Sequence, residues 1–190
     1  MNKENKQRLG VLIVALLIAA IARLLPHPPN FTPIAAMALF GGAYFANKKM
    51  AFIIPLLCML FSDFLLQIGF WLGFRSFPGF HTTMIAVYVA FALVVGLGVL
   101  LMQQGNGKLK MGNLFGMTLA GSVVFFIITN FAVWIGSGYY PQNWMGLVTC
   151  FEAAIPFFGN TLIGDLCYSV VLFGGFELAK QKYAFLRVAS

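Results

Sequence analysis

Residues 23–45 read RLLPHPPNFTPIAAMALFGGAYF. An apolar stretch ends there in Arg23, then come Pro26, Pro28, Pro29 and Pro33, and a second apolar stretch begins at once on small residues. Each proline lacks an amide donor and restricts the residue before it, so no helix continues through the segment. It reads as a stiff corner between two membrane segments. Stiffness keeps Arg23, His27 and Asn30 at set positions, where they can line the mouth of a binding site. The plainer role is a tight connector whose polar ends snorkel to the interface.

The chain on either side of this corner is apolar. Of its 190 residues 61% are hydrophobic and 9% charged, and several stretches approach the roughly 20 apolar residues that a bilayer core requires. Runs between charges and Gly/Pro punctuation predict spans near 10–25, 33–45, 51–68, 82–102, 114–135 and 157–178. The expected fold class is all-α, an integral membrane bundle of six transmembrane helices in a single membrane domain over residues 1–190. The second span is about 13 residues, roughly 20 Å of helix, so it tilts little, thins the bilayer or is shielded by its neighbours.

A formal charge of +7 would raise the question of nucleic acid in a soluble protein, but here the cations follow topology and no nucleic-acid partner is expected. Lys3, Lys6, Arg8, Lys48, Lys49, Lys108, Lys110, Lys180, Lys182 and Arg187 all fall on one side of the six-span arrangement. Arg23 and Arg75 fall on the other. The positive-inside rule then makes both termini cytoplasmic. Met1–Ala22 also has the basic start, apolar stretch and Ala20-Ile21-Ala22 ending of a secretory signal, and it is read as an uncleaved first span.

Cys58, Cys150 and Cys167 show no CxxC spacing, so neither a disulfide framework nor a zinc site is expected, and Cys150 on the outer side is the one to test for reactivity. Gly105 and Gly107 before Lys108 lack the spacing and the Ser/Thr of a nucleotide-binding P-loop. Ala15, Ala19 and Ala22 form a small-residue stripe on the first span that lets another helix approach closely, from this chain or from a partner. Ala38, Gly42 and Ala46 repeat the device on the second, where an internal contact is expected.

Polar groups inside the spans carry the functional reading. Asp63 falls in the outer half of the third span with Gln67 one turn beyond, and a lone carboxylate there needs a cavity or a cation, for which Arg23 is the natural candidate. The loop GFWLGFRSFPGFH at 69–81 is dense in aromatics that suit the headgroup region or could stack on a planar ligand, with His81 at the rim. The span over 82–102 reads as a lipid-facing or packing helix. Asn130 and Trp134 share one face of the fifth span, residues 136–156 read as an outer loop with a short interfacial helix carrying Glu152, and Asn160 and Asp165 lie in the outer half of the sixth span. Polar groups from three helices thus converge at one depth, the strongest hint of a pocket.

The blocks RLLPHPPNFTPIAAMALFGGAYF, TNFAVW at 129–134 and AAIPFFGNTLIGDL at 153–166, with the Asp63 span, resemble an uncharacterised family of small bacterial membrane proteins over most of the chain. That family in turn resembles the substrate-binding S components of energy-coupling factor (ECF) vitamin transporters. The resemblance implies six helices in the bacterial cytoplasmic membrane, a vitamin bound near the outer face, and a coupling protein with ATPases that contacts small residues on the first helix. Ala15 and Ala19 fit that AxxxA pattern. Some members of the superfamily take cobalamin and use a Cys on cobalt, where this chain offers His81.

The leading expectation is a transport protein that binds a small polar or planar solute in the outer halves of its helices, with no cofactor, no metal and no catalytic residue. Arg23, Asp63, Asn130, Asn160 and Asp165 would form the floor, and His27, Asn30, His81 and Trp134 the rim. The alternatives are a solitary corrinoid transporter, an intramembrane enzyme using Asp63 and Asp165 as acid and base, and a structural membrane subunit. Product formation would mark the enzyme, and tolerance of conservative polar swaps the structural subunit.

Overall fold

The computed structural model describes residues 3–105 and 108–187, so Gly107 and the Met1 start of the signal-like stretch lie outside the described residues. The helices are α1 (Lys3–Ala22), α2 (Ile34–Tyr44), α3 (Lys48–Trp71), α4 (Met84–Gln104), α5 (Met111–Gly136) and α6 (Trp144–Lys182), and the described residues contain no strand. Five of the six are long and apolar enough to cross a membrane; α2 is shorter.

The prolines act where expected. After Ala22 the chain leaves the helix through turns in which Arg23, Leu24 and Leu25 bond three residues back, and Asn30 turns the corner in the left-handed region at φ 62°. Asn tolerates that region better than most residues because its short polar side chain is a small steric burden. At the far end of α2, the Asn47 side chain accepts from the amides of Lys49 and Met50, at 2.9 and 3.3 Å, and so starts α3.

The shortness of α2 is resolved by shielding. It packs against α1, α3, α4, α5 and α6, and nearly all its side chains are buried, so it forms the axis of the bundle. Small residues make this possible. A Cβ added to Gly41 would lie 2.1 Å from the ring of Pro55 in α3, and Gly42 and Gly98 let α2 and α4 meet backbone to backbone. Ala38 is buried as expected, whereas Ala46 lies beyond the helix end and is exposed. The stripe on α1 is also used internally: Ala19 belongs to the core, and Ala15 packs half-buried against it.

Two expectations are corrected. The interfacial segment and the sixth span form one helical run, 39 residues from Trp144 to Lys182, with Pro156 inside it. Proline at that point forgoes one bond to the carbonyl of Glu152. Continuity also turns Cys150 inward to 2% exposure, its thiol 3.5 Å from the Asn130 carbonyl, and leaves Cys167 as the exposed cysteine. Of the two readings of the span over 82–102 the packing one holds, because Ala90, Phe91, Val94, Val95 and Gly98 of α4 are buried and α4 packs on α2.

Near its end α6 loosens into a π-helical turn at Val170–Gly174. Phe173 and Phe176 both reach Phe40 and Tyr44 from there, with ring centroids 4.5–5.6 Å apart. The same end is tied by polar bonds: Arg8 Nη2 donates to the Tyr44 carbonyl at 2.9 Å, the Tyr44 hydroxyl to Glu177 at 2.6 Å, and Lys180 pairs with Glu177 at 2.9 Å. Start of α1, end of α2 and end of α6 therefore meet at one basic end. Arg23 and Arg75 stand at the opposite end, where Arg75 donates to the Leu24 carbonyl.

Candidate functional site

Toward the end opposite the basic one, the corner, α4, α5 and α6 enclose a cavity of about 310 Å³. Its floor is Ala35 at the start of α2 and Asp165 of α6, both at most 2% exposed. Asn30 and Thr32 enter from the corner, His81 and Thr83 from the segment before α4, and Thr129 and Asn130 from α5. Phe125, Phe126, Phe157 and Phe158 supply the apolar wall, where the rings of Phe126 and Phe158 stand 4.9 Å apart. Hydroxyls, two amides, an imidazole, aromatic rings and the Asp165 carboxylate thus surround a space with no Lys or Arg among its lining residues. That chemistry suits an uncharged or weakly polar solute with a flat apolar part.

Asp165 has a structural task in this floor. Its Oδ1 accepts from the amide of Ala35 at 3.1 Å and its Oδ2 from the Ser122 hydroxyl at 2.7 Å. The carboxylate therefore caps the amino-terminal end of α2, where the helix dipole favours negative charge. Pro33, adjacent in sequence, offers no side-chain cap of its own. Ser122→Ala should strip one bond from a buried carboxylate and lower stability by about 1–3 kcal/mol, read as a drop in melting temperature of the detergent-purified protein.

The Arg23–Asp63 pair is formed, but in a different cluster. Arg23 Nη2 lies 2.7 Å from Asp63 Oδ1, and Nη1 donates to the Ser62 hydroxyl at 2.5 Å and toward the Met59 carbonyl at 3.5 Å. Tyr88 of α4 donates to the other Asp63 oxygen at 2.7 Å. These groups join α1, α3 and α4, and neither Arg23 nor Asp63 lines the cavity. Asp63 and Asp165 share no partner, so the expected common floor is two separate polar clusters.

The remaining candidates sort by where their polar atoms are spent. Asn30, His81 and Asn130 line the cavity with Asp165; His81 Nδ1 rests 3.0 Å from Thr83 Oγ1, and the Asn130 amide donates to the Phe126 carbonyl of its own helix. His27 lies instead against the carbonyls of Pro28 and Arg23, holding the corner. Trp134 donates to the Pro141 carbonyl, and Asn160 to that of Pro29, so both serve as ties between elements. Their donors are committed to loop carbonyls, where Asn160 was expected in the floor and Trp134 at the rim. The aromatics Trp71, Phe74 and Phe77 stand exposed and outside the cavity lining, as interfacial anchors do, and the loop folds back so that the Phe80 amide donates to Gln67.

Sequence reasoning missed Tyr88, Ser122 and the threonines of the wall. A tyrosine in an otherwise apolar span was the available signal, since a phenol in lipid needs an acceptor and Asp63 needs donors. The threonines give less away because a threonine within a helix can bond its own preceding turn, as Thr129 and Thr161 do. Among the described residues no three His, Cys, Asp or Glu side chains come together as a metal site.

The chain belongs to a family of unknown function (DUF6580), whose model matches residues 3–186. No curated protein and no solved structure matches it.

Proposed function

We propose that this DUF6580 member is the solute-binding part of a membrane transport system, holding a small, vitamin-like molecule in the cavity between the corner, α4, α5 and α6. The observation that carries this reading is the cavity itself, which joins polar groups from the corner, the segment before α4, α5 and α6 to an aromatic wall from α5 and α6. Its volume of about 310 Å³ lies at the lower end of the range for small-molecule sites, roughly 300–1,000 Å³, which favours a small ring compound over a bulky corrinoid. The basic end would face the cytoplasm of a bacterial cell by the positive-inside rule, leaving the cavity toward the outside.

Energy would come from elsewhere, through a coupling protein with ATPases of the ECF kind. Because Ala19 is already packed inside the chain, such a partner would meet α1 on the exposed row of Val11, Val14 and Ile18.

The test is thermal melting of detergent-purified protein against a panel of water-soluble vitamins. One of them at a hundredfold excess over its Kd should raise the melting temperature by about 5 °C or more. Thr161→Phe, which fills the cavity from its α6 wall, should melt as the wild type does without ligand and show no shift with it. Equal shifts in both proteins would place the ligand elsewhere.

A further inference from the structure

A second cavity, of about 340 Å³, lies at the basic end between the first turns of α1 and the start of α3. Asn5, Arg8 and Asn47 line its polar side, and Leu9, Leu12 and Met50 its apolar side. Arg8 is half-buried, and beyond the bond to Tyr44 its Nε is buried with no hydrogen-bond partner. Nor does a carboxylate of the described residues pair with it. Among the described residues the ion pairs are Arg23–Asp63 and Lys180–Glu177, and Glu4, one turn earlier on α1, is exposed and forms none. Glu177 is engaged by Lys180 and by the Tyr44 hydroxyl.

A half-buried guanidinium that lines the cavity, with no counter-charge among the described residues, is suited to take an anion from outside the chain. Lys48 and Lys49 stand exposed at the adjoining start of α3, and the positive end of that 24-residue helix adds to the same field. The apolar side selects the kind of anion. Met50 begins an exposed row, Met50, Ile53, Leu57, Phe61, Phe64 and Ile68, spaced three and four residues apart along one face of α3. Anything held at Arg8 can continue onto that row in the plane of the lipid tails.

We propose that this cavity binds the phosphate headgroup of an anionic phospholipid through Arg8, with an acyl chain lying along Met50, Ile53 and Leu57. Phosphate fits a guanidinium by charge and by paired N–H donors, and a basic cytoplasmic end concentrates anionic lipid at its surface. The site is independent of the solute cavity, which lies at the other end of the bundle.

Native mass spectrometry of the purified full chain, titrated with dioctanoyl phosphatidylglycerol, dioctanoyl phosphatidylcholine and inorganic phosphate, tests this. The wild type should retain one phosphatidylglycerol that Arg8→Gln binds roughly fivefold more weakly or worse. Ala46→Phe, an exposed position that lines the cavity and leaves Arg8 in place, should weaken it likewise and decides the matter if Arg8→Gln does not fold. Equal retention by wild type and Ala46→Phe would overturn the site. Phosphatidylcholine binding as tightly as phosphatidylglycerol would overturn the anionic headgroup. Displacement of the phospholipid by an equal concentration of inorganic phosphate would overturn the lipid and leave a free-phosphate site.

Discussion

Asp63→Ala is expected to destabilise the protein by about 3–5 kcal/mol, the usual cost of stripping one partner from a buried ion pair. The side chains of Arg23 and Asp63 are 10% and 2% exposed, and the carboxylate is the one charge in contact with the guanidinium among the described residues. Its loss leaves a cation whose remaining bonds among the described residues are to Ser62 and Met59, and leaves the Tyr88 hydroxyl without its acceptor. For a chain of this length the loss amounts to roughly 6–20 °C in melting temperature. The double variant Arg23→Met with Asp63→Leu should recover most of it, because removing both charges also removes the cost of burying them. A double variant as unstable as Asp63→Ala would show that the pair does more than neutralise itself.

Gly42→Ala and Gly98→Ala are the second pair of large effects. A Cβ on Gly42 would sit 2.0 Å from the carbonyl oxygen of Val95, and one on Gly98 2.2 Å from that of Leu39. Both obstacles are backbone atoms within helices, which cannot swing aside as a side-chain tip would. Each substitution must therefore push α2 and α4 apart along the most extensive contact in the bundle, at an expected cost of more than about 3 kcal/mol, the upper end for overpacking. Gly96→Ala supplies the control. Its Cβ would meet nothing within 4 Å, and alanine is the better helix former, so this variant should melt at or above the wild-type temperature. Melting curves of the three proteins in one detergent separate a clash from a general intolerance of Gly→Ala.

The proline corner, the brevity of α2 and the Arg23–Asp63 pair were legible because each rests on a local rule or a forced choice. Prolines stop helices, and a carboxylate in lipid needs one of the few cations at its own depth. The α6 run through Pro156 was not legible, since a proline in a polar stretch reads as a boundary. The capping role of Asp165 was not legible for a different reason. A helix cap is normally sought beside the helix in sequence, and this one reaches Ala35 across 130 residues. His27, Trp134 and Asn160 show the limit of depth as a guide: residues at the right height can still spend their donors on neighbouring loop carbonyls instead of on a cavity.

The solute cavity is the central claim, and mass spectrometry of small molecules released from the detergent-purified protein tests it most directly, with Thr161→Phe prepared identically beside the wild type. The account predicts a vitamin-like compound with an uncharged ring system in the wild-type extract, at near one per chain, and its loss from the Thr161→Phe extract. A compound retained equally by both proteins, or a highly charged one, would contradict it.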